Sequence, residues 1–278
     1  MQFQITTLSE NCVAVGARNL IGEWGLSILI ETDSEKILFD TGASISVAHN
    51  ARILGKDLSK VSKIALSHGH YDHTGGLADV LRRTGKVEVI AHPDVWSLKY
   101  VRYGEYEGYI GIPFRREELE TLGASFNLTP DPLNITNEIM TTGIVPMVTD
   151  YEKIDPVMFV KEGDALRPDP LADDLSLIIK IEQGLVVLLG CAHRGIINVL
   201  RRAQELIPGQ PIDTVIGGAH LMFSSPENIE RTIRELKEFG IQRLGCSHCT
   251  GFGPAVRLAQ EFGDIFFPNN AGTSVTVP

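Results

Sequence analysis

Short apolar segments rich in β-branched residues recur along the chain and predict strands, because they end at turn-forming residues such as Gly, Asp and Ser. The dipeptide Gln183-Gly184, for example, predicts a turn between two of these segments. The predicted strands cover residues 2–8, 26–32, 36–39, 61–66, 87–91, 173–180, 185–189, 212–216, 241–246, 265–267 and 273–277.

Stretches with apolar residues at helical spacing follow many of these strands. After residue 189, for instance, Ile196, Leu200, Ala203 and Ile207 share one face of a predicted helix. Pro226 opens another at the first helical position. The predicted helices cover residues 44–54, 75–83, 196–207, 226–239 and 254–262. Strand-rich stretches together with strand–helix units predict an α/β fold in which two stacked sheets are flanked by helices.

The segment from about residue 94 to 163 differs from the rest, because it is rich in Tyr and Gly and shows no long periodicity. We expect it to be an inserted lid within a single domain that spans residues 1–278. Four tyrosines of this segment could stack on a flat ring, and nearby cationic side chains could bind a phosphate. The tyrosines are Tyr100, Tyr103, Tyr106 and Tyr109, and the cations are Lys99, Arg102, Arg115 and Arg116. An exposed surface that pairs two copies of the chain explains the same residues equally well.

Composition narrows the possible functions. The chain has 278 residues, of which 43% are hydrophobic, and a formal net charge of −10. No apolar segment approaches the roughly 20 residues that cross a bilayer, so we expect a cytoplasmic protein without membrane contact. The acidic surface disfavours nucleic acid as a partner. A small anionic substrate remains compatible, because bound cations would reverse the local field.

The hexapeptide His68-Gly69-His70-Tyr71-Asp72-His73 lies between a predicted strand and a predicted helix. Residues two apart at a strand end point the same way, so His68 and His70 can reach one ion. Asp72 and His73 lie beyond the turn, which suits a second ion. Imidazole nitrogen and carboxylate oxygen are ligands that zinc, iron and manganese all accept. The alternative, a solvated turn, is disfavoured because four such side chains cluster within six residues.

Three later histidines, His193, His220 and His248, also follow predicted strands directly. Loops after the strands of a layered α/β fold meet at one edge of the sheets, which is where sites form. Histidine His92 also ends a strand, but no possible ligand lies at a suitable spacing from it. The sequence therefore predicts a metal centre with a histidine-rich rim.

Several motifs resemble one known family. The string SHGHYDHTGG at residues 67–76 resembles the HxHxDH signature of the metallo-β-lactamase superfamily. The strings TGIVPMVTDYE, GCAHRGIINVL, GGAHL and CSHCTG, which begin at Thr142, Gly190, Gly217 and Cys246, resemble a narrower group within it. That group is related to 7,8-dihydropterin-6-methyl-4-(β-D-ribofuranosyl)-aminobenzene-5'-phosphate synthase. The resemblance spans most of the chain.

The resemblance implies an αββα four-layer sandwich with two divalent ions, zinc first, and manganese, iron or magnesium as alternatives. It implies that the first ion is held by His68, His70 and His193, and the second by Asp72, His73 and His248. Two ions about 3.5–4 Å apart lower the pKa of a shared water and stabilise charge on the substrate. Asp72 and His220 are the expected catalytic residues, with His220 as a ligand, a proton donor or a core histidine.

Three further residues are expected beside the ions. Asp40 ends a strand and would accept the ring N–H of a ligand histidine, although it could instead cap a helix. Cys191 stands where hydrolases of the superfamily usually carry a bridging aspartate, so it would be a ligand or lie just behind the ligands. Asp174 could approach the ions in its place. The four cysteines are too few for a disulfide framework, and Cys246 and Cys249 lack the second pair of a structural zinc site.

The leading functional hypothesis is a dinuclear metal enzyme acting on a small phosphorylated or diphosphate substrate. The resembled group implies condensation of a dihydropterin diphosphate with an arylamine, with loss of diphosphate. A generic metal-dependent hydrolase of phosphodiesters, lactones or thioesters is the first alternative, and a metal-stabilised binding module without catalysis is the second. Oxygen-reducing di-iron relatives usually carry Glu at the place of His70, which disfavours an oxidoreductase. No P-loop, dinucleotide fingerprint or HExxH motif occurs.

Overall fold

A computed structural model of the chain describes residues 1–278 and contains three β-sheets and seven α-helices. The strands are β1 (Phe3–Ser9), β2 (Ser27–Glu31), β3 (Lys36–Phe39), β4 (Lys63–Ala65), β5 (Val87–Ala91), β6 (Leu98–Tyr103), β7 (Tyr106–Tyr109), β8 (Ala124–Leu128), β9 (Ile139–Thr141), β10 (Met158–Glu162), β11 (Ala165–Pro168), β12 (Leu177–Ile181), β13 (Gly184–Leu189), β14 (Ile212–Gly218), β15 (Arg243–Ser247) and β16 (Ser274–Val277). The helices are α1 (Ser46–Ile53), α2 (Tyr71–Thr74), α3 (Leu77–Thr84), α4 (Arg116–Thr121), α5 (Ile196–Leu206), α6 (Pro226–Glu238) and α7 (Phe252–Phe262).

Two large sheets form the centre of the molecule. One has seven strands in the order β16-β1-β2-β3-β4-β5-β8, and the other has five in the order β15-β14-β13-β12-β9. Strands β3, β4, β5 and β8 run parallel, as do β13, β14 and β15. The carboxyl ends of parallel neighbours lie at the same edge of a sheet, so the loops after β3 and β4, and those after β13, β14 and β15, come together.

Alternation along the strands sends side chains to two different hydrophobic layers. On β2, Ile28 and Ile30 pack between the two large sheets with Leu177 and Val186, whereas Leu29 packs outward. The outer face of the seven-stranded sheet packs on α1 and α3, and that of the five-stranded sheet packs on α5, α6 and α7. Period-two side-chain placement thus buries both faces of each sheet. The predicted αββα four-layer sandwich is confirmed.

The segment 94–163 differs from the continuous lid that the sequence predicts. Strand β8 pairs with β5 in the seven-stranded sheet, and β9 pairs with β12 in the five-stranded sheet. Only β6, β7 and β10 belong to a separate antiparallel sheet, which β11 completes beyond residue 163. The loose sequence pattern misleads here because β8 and β9 are only five and three residues long. Strands this short contain too few residues to show the alternation of apolar and polar positions that identifies a strand.

The C-terminal region holds a second difference. The predicted strand 265–267 is wrong, since only Phe266 makes an isolated bridge, to Leu244, after a single helical turn. None of the seven helices is long and apolar enough to cross a membrane.

Candidate metal centre

Residues 66–70 connect β4 to the short helix α2, which carries Asp72 and His73, and we call residues 67–73 the metal loop. Gly69 lies against the turn that follows β5, where a Cβ atom would come within 2.2 Å of the Val95 carbonyl oxygen. Only glycine fits such a close approach. Its amide N–H donates to Asp173 Oδ2 at 2.8 Å. These contacts hold His68 and His70 on either side of Gly69 in fixed positions.

Three histidines converge on one point, and we call them the first triad. His68 Nε2 lies 2.9 Å from His70 Nδ1 and 3.2 Å from His193 Nε2. All three side chains are buried, with His193 brought in by the loop after β13. Burial lowers the pKa of each well below its ordinary value, so the rings are neutral and their lone pairs are available.

Asp72, His73 and His248 converge beside the first triad and form a second triad. Asp72 Oδ2 lies 3.3 Å from His248 Nε2 and 3.9 Å from His73 Nε2. Burial alone would lower the pKa of His73, but the carboxylates of Asp40 and Asp72 outweigh it and raise that pKa to about 9. Burial would likewise raise the pKa of Asp72, but His73 and His248 hold it well below its usual range. The carboxylate thus favours positive charge at this point, as a divalent cation would supply.

The donor chemistry of both triads suits a divalent ion. Neutral imidazoles 2.9 to 3.2 Å apart cannot all satisfy one another, because each neutral ring carries a single N–H. In the second triad, His248 Nε2 faces Asp72 and is a buried ring nitrogen without a hydrogen-bond partner. An ion accepting lone pairs explains the convergence better than hydrogen bonding does.

Asp40 organises the back of the second triad. Its Oδ2 lies 2.7 Å from His73 Nδ1, and its two oxygens also accept hydrogen bonds from the backbone N–H and the hydroxyl of Ser67, each at 2.7 Å. The Asp40 backbone has a φ of 59°, a left-handed conformation that costs energy for a residue other than glycine. Asp40 therefore accepts the N–H of His73 Nδ1, and the proton that His73 would give up on binding an ion is the one on Nε2, which faces the triad.

Comparison with known proteins identifies the family. Residues 25–220 match the sequence model of the metallo-beta-lactamase superfamily. The chain belongs to the metallo-β-lactamase superfamily. The resemblance predicted from the motifs is therefore confirmed, and the chain is a metal-dependent enzyme of a superfamily that binds divalent metals, usually zinc. The roles of individual ligands stay predictions.

Relatives cover nearly the whole chain. The 7,8-dihydropterin-6-methyl-4-(beta-D-ribofuranosyl)-aminobenzene-5'-phosphate synthase of Methanocaldococcus jannaschii is 31% identical over 97% of this chain and 95% of its own length. An uncharacterized protein of the same organism, MJ0448, is 34% identical over 87% of this chain and 90% of its own. Among solved structures, Tm1679, a metal-dependent hydrolase of the beta-lactamase superfamily, superposes with a TM-score of 0.86 at 29% identity and covers 99% of both chains.

In this metallo-β-lactamase centre, His248 is held by two residues that the sequence did not single out, Glu10 and Asn11. Its ring Nδ1 lies 3.1 Å from Asn11 Oδ1, and its backbone N–H donates to Glu10 Oε1 at 2.8 Å. Both residues follow β1 directly. Polar residues immediately after a predicted strand could therefore have indicated a position near the site. His248 has a φ of 54°, and these two contacts hold it in that unusual conformation.

A buried ion network lies beneath the first triad and was also missed. Lys99 Nζ from β6 lies 2.8 Å from Asp169 Oδ2 and 2.9 Å from Asp173 Oδ1, and all three side chains are at most 4% exposed. Since Asp173 also accepts from Gly69, the network ties the small third sheet to the metal loop. Lys99, which the sequence suggested for phosphate binding, is instead paired with two buried carboxylates.

The structure separates the other candidate residues. The ring of His220 lies 4.1 Å from that of His193 between centroids, and both its ring nitrogens are buried without a hydrogen-bond partner. Cys191 Sγ lies 3.0 Å from His73 Nε2. Asp174 is grouped with neither triad; its Oδ2 accepts from the Arg194 backbone N–H at 3.0 Å, and its buried Oδ1 has no hydrogen-bond partner. Burial raises the pKa of Asp174 to about 7.

A cavity of ≈ 180 Å³ opens directly above the triads. Its walls are mainly apolar and aromatic, with Trp24, Tyr71, Tyr103, Met222 and Phe223. The third sheet contributes Val101 and Met158 to the walls, so it covers the centre. A more polar cavity of ≈ 220 Å³ shares His193, His220 and Phe223 with it and includes Lys153 and Ser225.

Of the four tyrosines suggested for ring stacking, only Tyr103 lines the cavity above the triads. Tyr106 and Tyr109 are 62% and 46% exposed, and Tyr100 packs edge-on against Tyr109. The strand register explains part of this separation, because Tyr100 pairs with Tyr109 across the β6–β7 hairpin and Tyr103 lies three residues further along β6. Residues three apart on a strand point to opposite faces, so the Tyr100–Tyr109 pair faces away from Tyr103.

Proposed function

We propose that the chain uses two divalent ions, held by the two triads, to act on a small phosphorylated or diphosphate substrate. The observation that carries this proposal is the presence of two adjacent buried donor sets on the floor of one cavity. Zinc is the ion we propose, because imidazole and carboxylate donors suit it. When bound, the two ions would supply Lewis-acid stabilisation of negative charge on the substrate.

The chain's own residues would divide the remaining work. Asp40 holds the proton of His73 on Nδ1, so that Nε2 stays free for an ion. The apolar walls exclude water and orient a ring, while His220 lines both cavities and has two buried ring nitrogens without a hydrogen-bond partner. We assign His220 the role of giving a proton to the leaving group. Asp72 carries negative charge next to the reacting groups and holds the second ion.

The synthase relative favours a condensation as the reaction. Its name describes a dihydropterin joined through a methyl group to an aminobenzene that carries a ribose phosphate. We propose the same class of reaction here, with diphosphate lost from the pterin side and an arylamine as nucleophile. Supporting this, one cavity beside the triads is lined by aromatic rings and the other by Lys153 and the start of α6.

Hydrolysis is the second candidate, favoured by the likeness to Tm1679, whose structure is described as a metal-dependent hydrolase. A two-ion centre serves water as well as an amine. An anionic substrate is compatible with the net charge of −10, because two divalent ions would make the pocket locally positive.

Metal content is the first test. Purified protein loaded with Zn²⁺ and passed through a desalting column should hold two ions per chain by elemental analysis. His193→Ala should hold about one, since it removes one donor of the first triad. His49→Ala is the matched control, because His49 lies outside both triads and should keep two ions. Fewer than two ions in the wild type would overturn the two-ion centre, and less than one would overturn metal binding altogether.

Substrate class is the second test. The loaded protein is incubated separately with a phosphodiester, a lactone, a thioester, and a dihydropterin diphosphate with and without an arylamine. Diphosphate release that requires the amine supports the condensation, whereas turnover with water alone refutes it and favours hydrolysis. Bound metal without turnover of any of these compounds would identify a binding module instead, provided that Asp72→Ala leaves the affinity for the dihydropterin diphosphate unchanged.

A further inference from the structure

The thiol of Cys191 lies between the two triads. Its sulfur is 3.0 Å from His73 Nε2, a donor of the second triad. It also lies within 4.8 Å of donor atoms of His68 and His193 in the first triad and of His248 in the second. Two donors of one zinc ion lie at most about 4.4 Å apart, the sum of a Zn–S and a Zn–N bond. The sulfur of Cys191 therefore lies close enough to the donors of both triads to be near both proposed ion positions.

The local chain geometry delivers this thiol to the centre. Gly190, at the end of β13, packs so closely on the metal loop that a Cβ there would lie 2.3 Å from the Ser67 side chain. Ala192 then has a φ of 52°, and the chain turns so that His193 joins the first triad. A strained residue between two donors is more readily explained by a demand at the site than by packing.

Core packing does not account for Cys191. Cys246, which is equally buried, lies in the apolar cluster with Leu244 and Leu258. Cys191 belongs to none of the three apolar clusters, although it is only 2% exposed. Its neighbours are ring nitrogens, and it forms no disulfide.

Charge also calls for a second anion. Two divalent ions bring four positive charges into a buried centre. The two triads contain five imidazoles, which bind metal in their neutral form, and one carboxylate, Asp72, so they supply a single negative charge. Uncompensated buried charge is costly. Asp174 is grouped with the donors of neither triad, whereas Cys191 is grouped with donors of both. Cys249 groups only with His248 and Cys191, and so reaches one triad.

We propose that the thiolate of Cys191 is a ligand shared by both ions. The assignment rests on the proposed function in that it requires two bound ions. A sulfur donor favours zinc, iron or cobalt over magnesium and manganese, which prefer oxygen. The centre is thus a mixed nitrogen, oxygen and sulfur site, and Cys249 supports it from behind by donating to the Cys191 carbonyl oxygen at 3.5 Å.

Cobalt(II) loading tests the sulfur bond without any turnover. The wild-type protein with two Co²⁺ ions should show a near-ultraviolet sulfur-to-cobalt charge-transfer band. Cys191→Ser and Cys191→Asp should lose it, and Cys191→Asp should still bind two ions, because it offers an oxygen donor at the same place. Cys12→Ser and Cys249→Ser are matched controls that should keep the band, since Cys12 is an exposed thiol and Cys249 is assigned no metal bond.

The possible outcomes are distinct. Wild-type protein with two Co²⁺ ions but no such band overturns the sulfur ligand and leaves the proposed function intact. A band that persists in Cys191→Asp, or one that Cys249→Ser also abolishes, overturns the assignment to Cys191. Wild-type protein that retains no Co²⁺ overturns the proposed function and the ligand together.

Cadmium-113 NMR distinguishes a shared ligand from one bound to a single ion. A sulfur donor moves the resonance of its cadmium ion downfield, so both resonances of the wild-type protein should move upfield in Cys191→Asp. Movement of only one resonance would refute a shared thiolate. Circular dichroism of each variant checks that the fold is retained.

Discussion

Replacing Asp40 by Asn should weaken the second ion site without removing the fold. Asp40 is fully buried and uses both oxygens as acceptors, Oδ1 for the Ser67 N–H, and Oδ2 for the Ser67 hydroxyl and His73 Nδ1. Asn has one oxygen, so either orientation places its NH₂ group against a donor. Asn tolerates the φ of 59° better than Ala does, which makes it the cleaner substitution.

The magnitude follows from these contacts. If the Asn NH₂ faces His73, the ring must move its proton to Nε2, the nitrogen that would bind the ion. Loss of such a partner typically reduces metal affinity by about 10- to 100-fold, or about 1.4–2.7 kcal/mol. Losing two hydrogen bonds to a charged acceptor should also lower the free energy of unfolding by about 3–6 kcal/mol. A domain of ordinary stability, about 5–15 kcal/mol, can remain folded after such a loss.

Competition against a chromophoric chelator measures the two metal affinities, and urea denaturation measures the free energy of unfolding. The affinity of one ion should fall in Asp40→Asn, and that of the other should change little. Asp57→Asn is the matched control, because Asp57 caps a short turn by accepting from the Ser59 backbone N–H and hydroxyl in an exposed position. An affinity within twofold of wild type for both ions, in a folded variant, would refute the role given to Asp40.

Three further predictions concern the surroundings of the centre. Lys99→Met should lower the free energy of unfolding by about 3–5 kcal/mol in urea denaturation, because two carboxylates lose their buried partner, whereas exposed Lys161→Met should change it by less than about 0.5 kcal/mol. Gly69→Ala should lower the free energy of unfolding by at least about 1–3 kcal/mol and weaken zinc binding in the same chelator assay, because the new Cβ would lie 2.2 Å from a backbone oxygen. Gly253→Ala, which has open space around it, should cause neither change. Burial raises the pKa of Glu152 from 4.5 to about 7, so between these pH values folding requires the carboxylate to take up a proton, and stability falls as pH rises. Relative to wild type, the free energy of unfolding of Glu152→Gln should rise by about 3 kcal/mol from pH 4.5 to pH 7, and a flat difference would contradict this.

The sequence predicted those parts of the site that depend on neighbouring residues. The metal loop carries four donors within six residues, and its place between a strand and a helix was visible from local periodicity. Local patterns failed where the contact is distant in sequence. Asn11 meets His248 across 237 positions, and Lys99 meets Asp173 across 74. Neither pair leaves a periodic signal, because only folding brings the partners together.

The inserted segment shows the same limit for the fold. Strand β8 adds to the parallel edge of the seven-stranded sheet, although nothing in its five residues distinguishes it from the strands of the third sheet. When two strands are far apart in the sequence, their pairing depends on which strand edges of the folded sheets are free to accept a new strand. A short strand therefore cannot be assigned to a sheet from its own composition.

By itself, the sequence determined the alternation of strands and helices, the layered architecture and the donor types at the strand ends, because side-chain period and ligand chemistry are local properties. Only the tertiary structure decided which donors share a point. It placed Cys191 between two triads, kept Asp174 out of both, and put His220 at the boundary of two cavities. Distances of a few ångströms between residues more than 100 positions apart are fixed by the packing of the two sheets, and no local pattern encodes them.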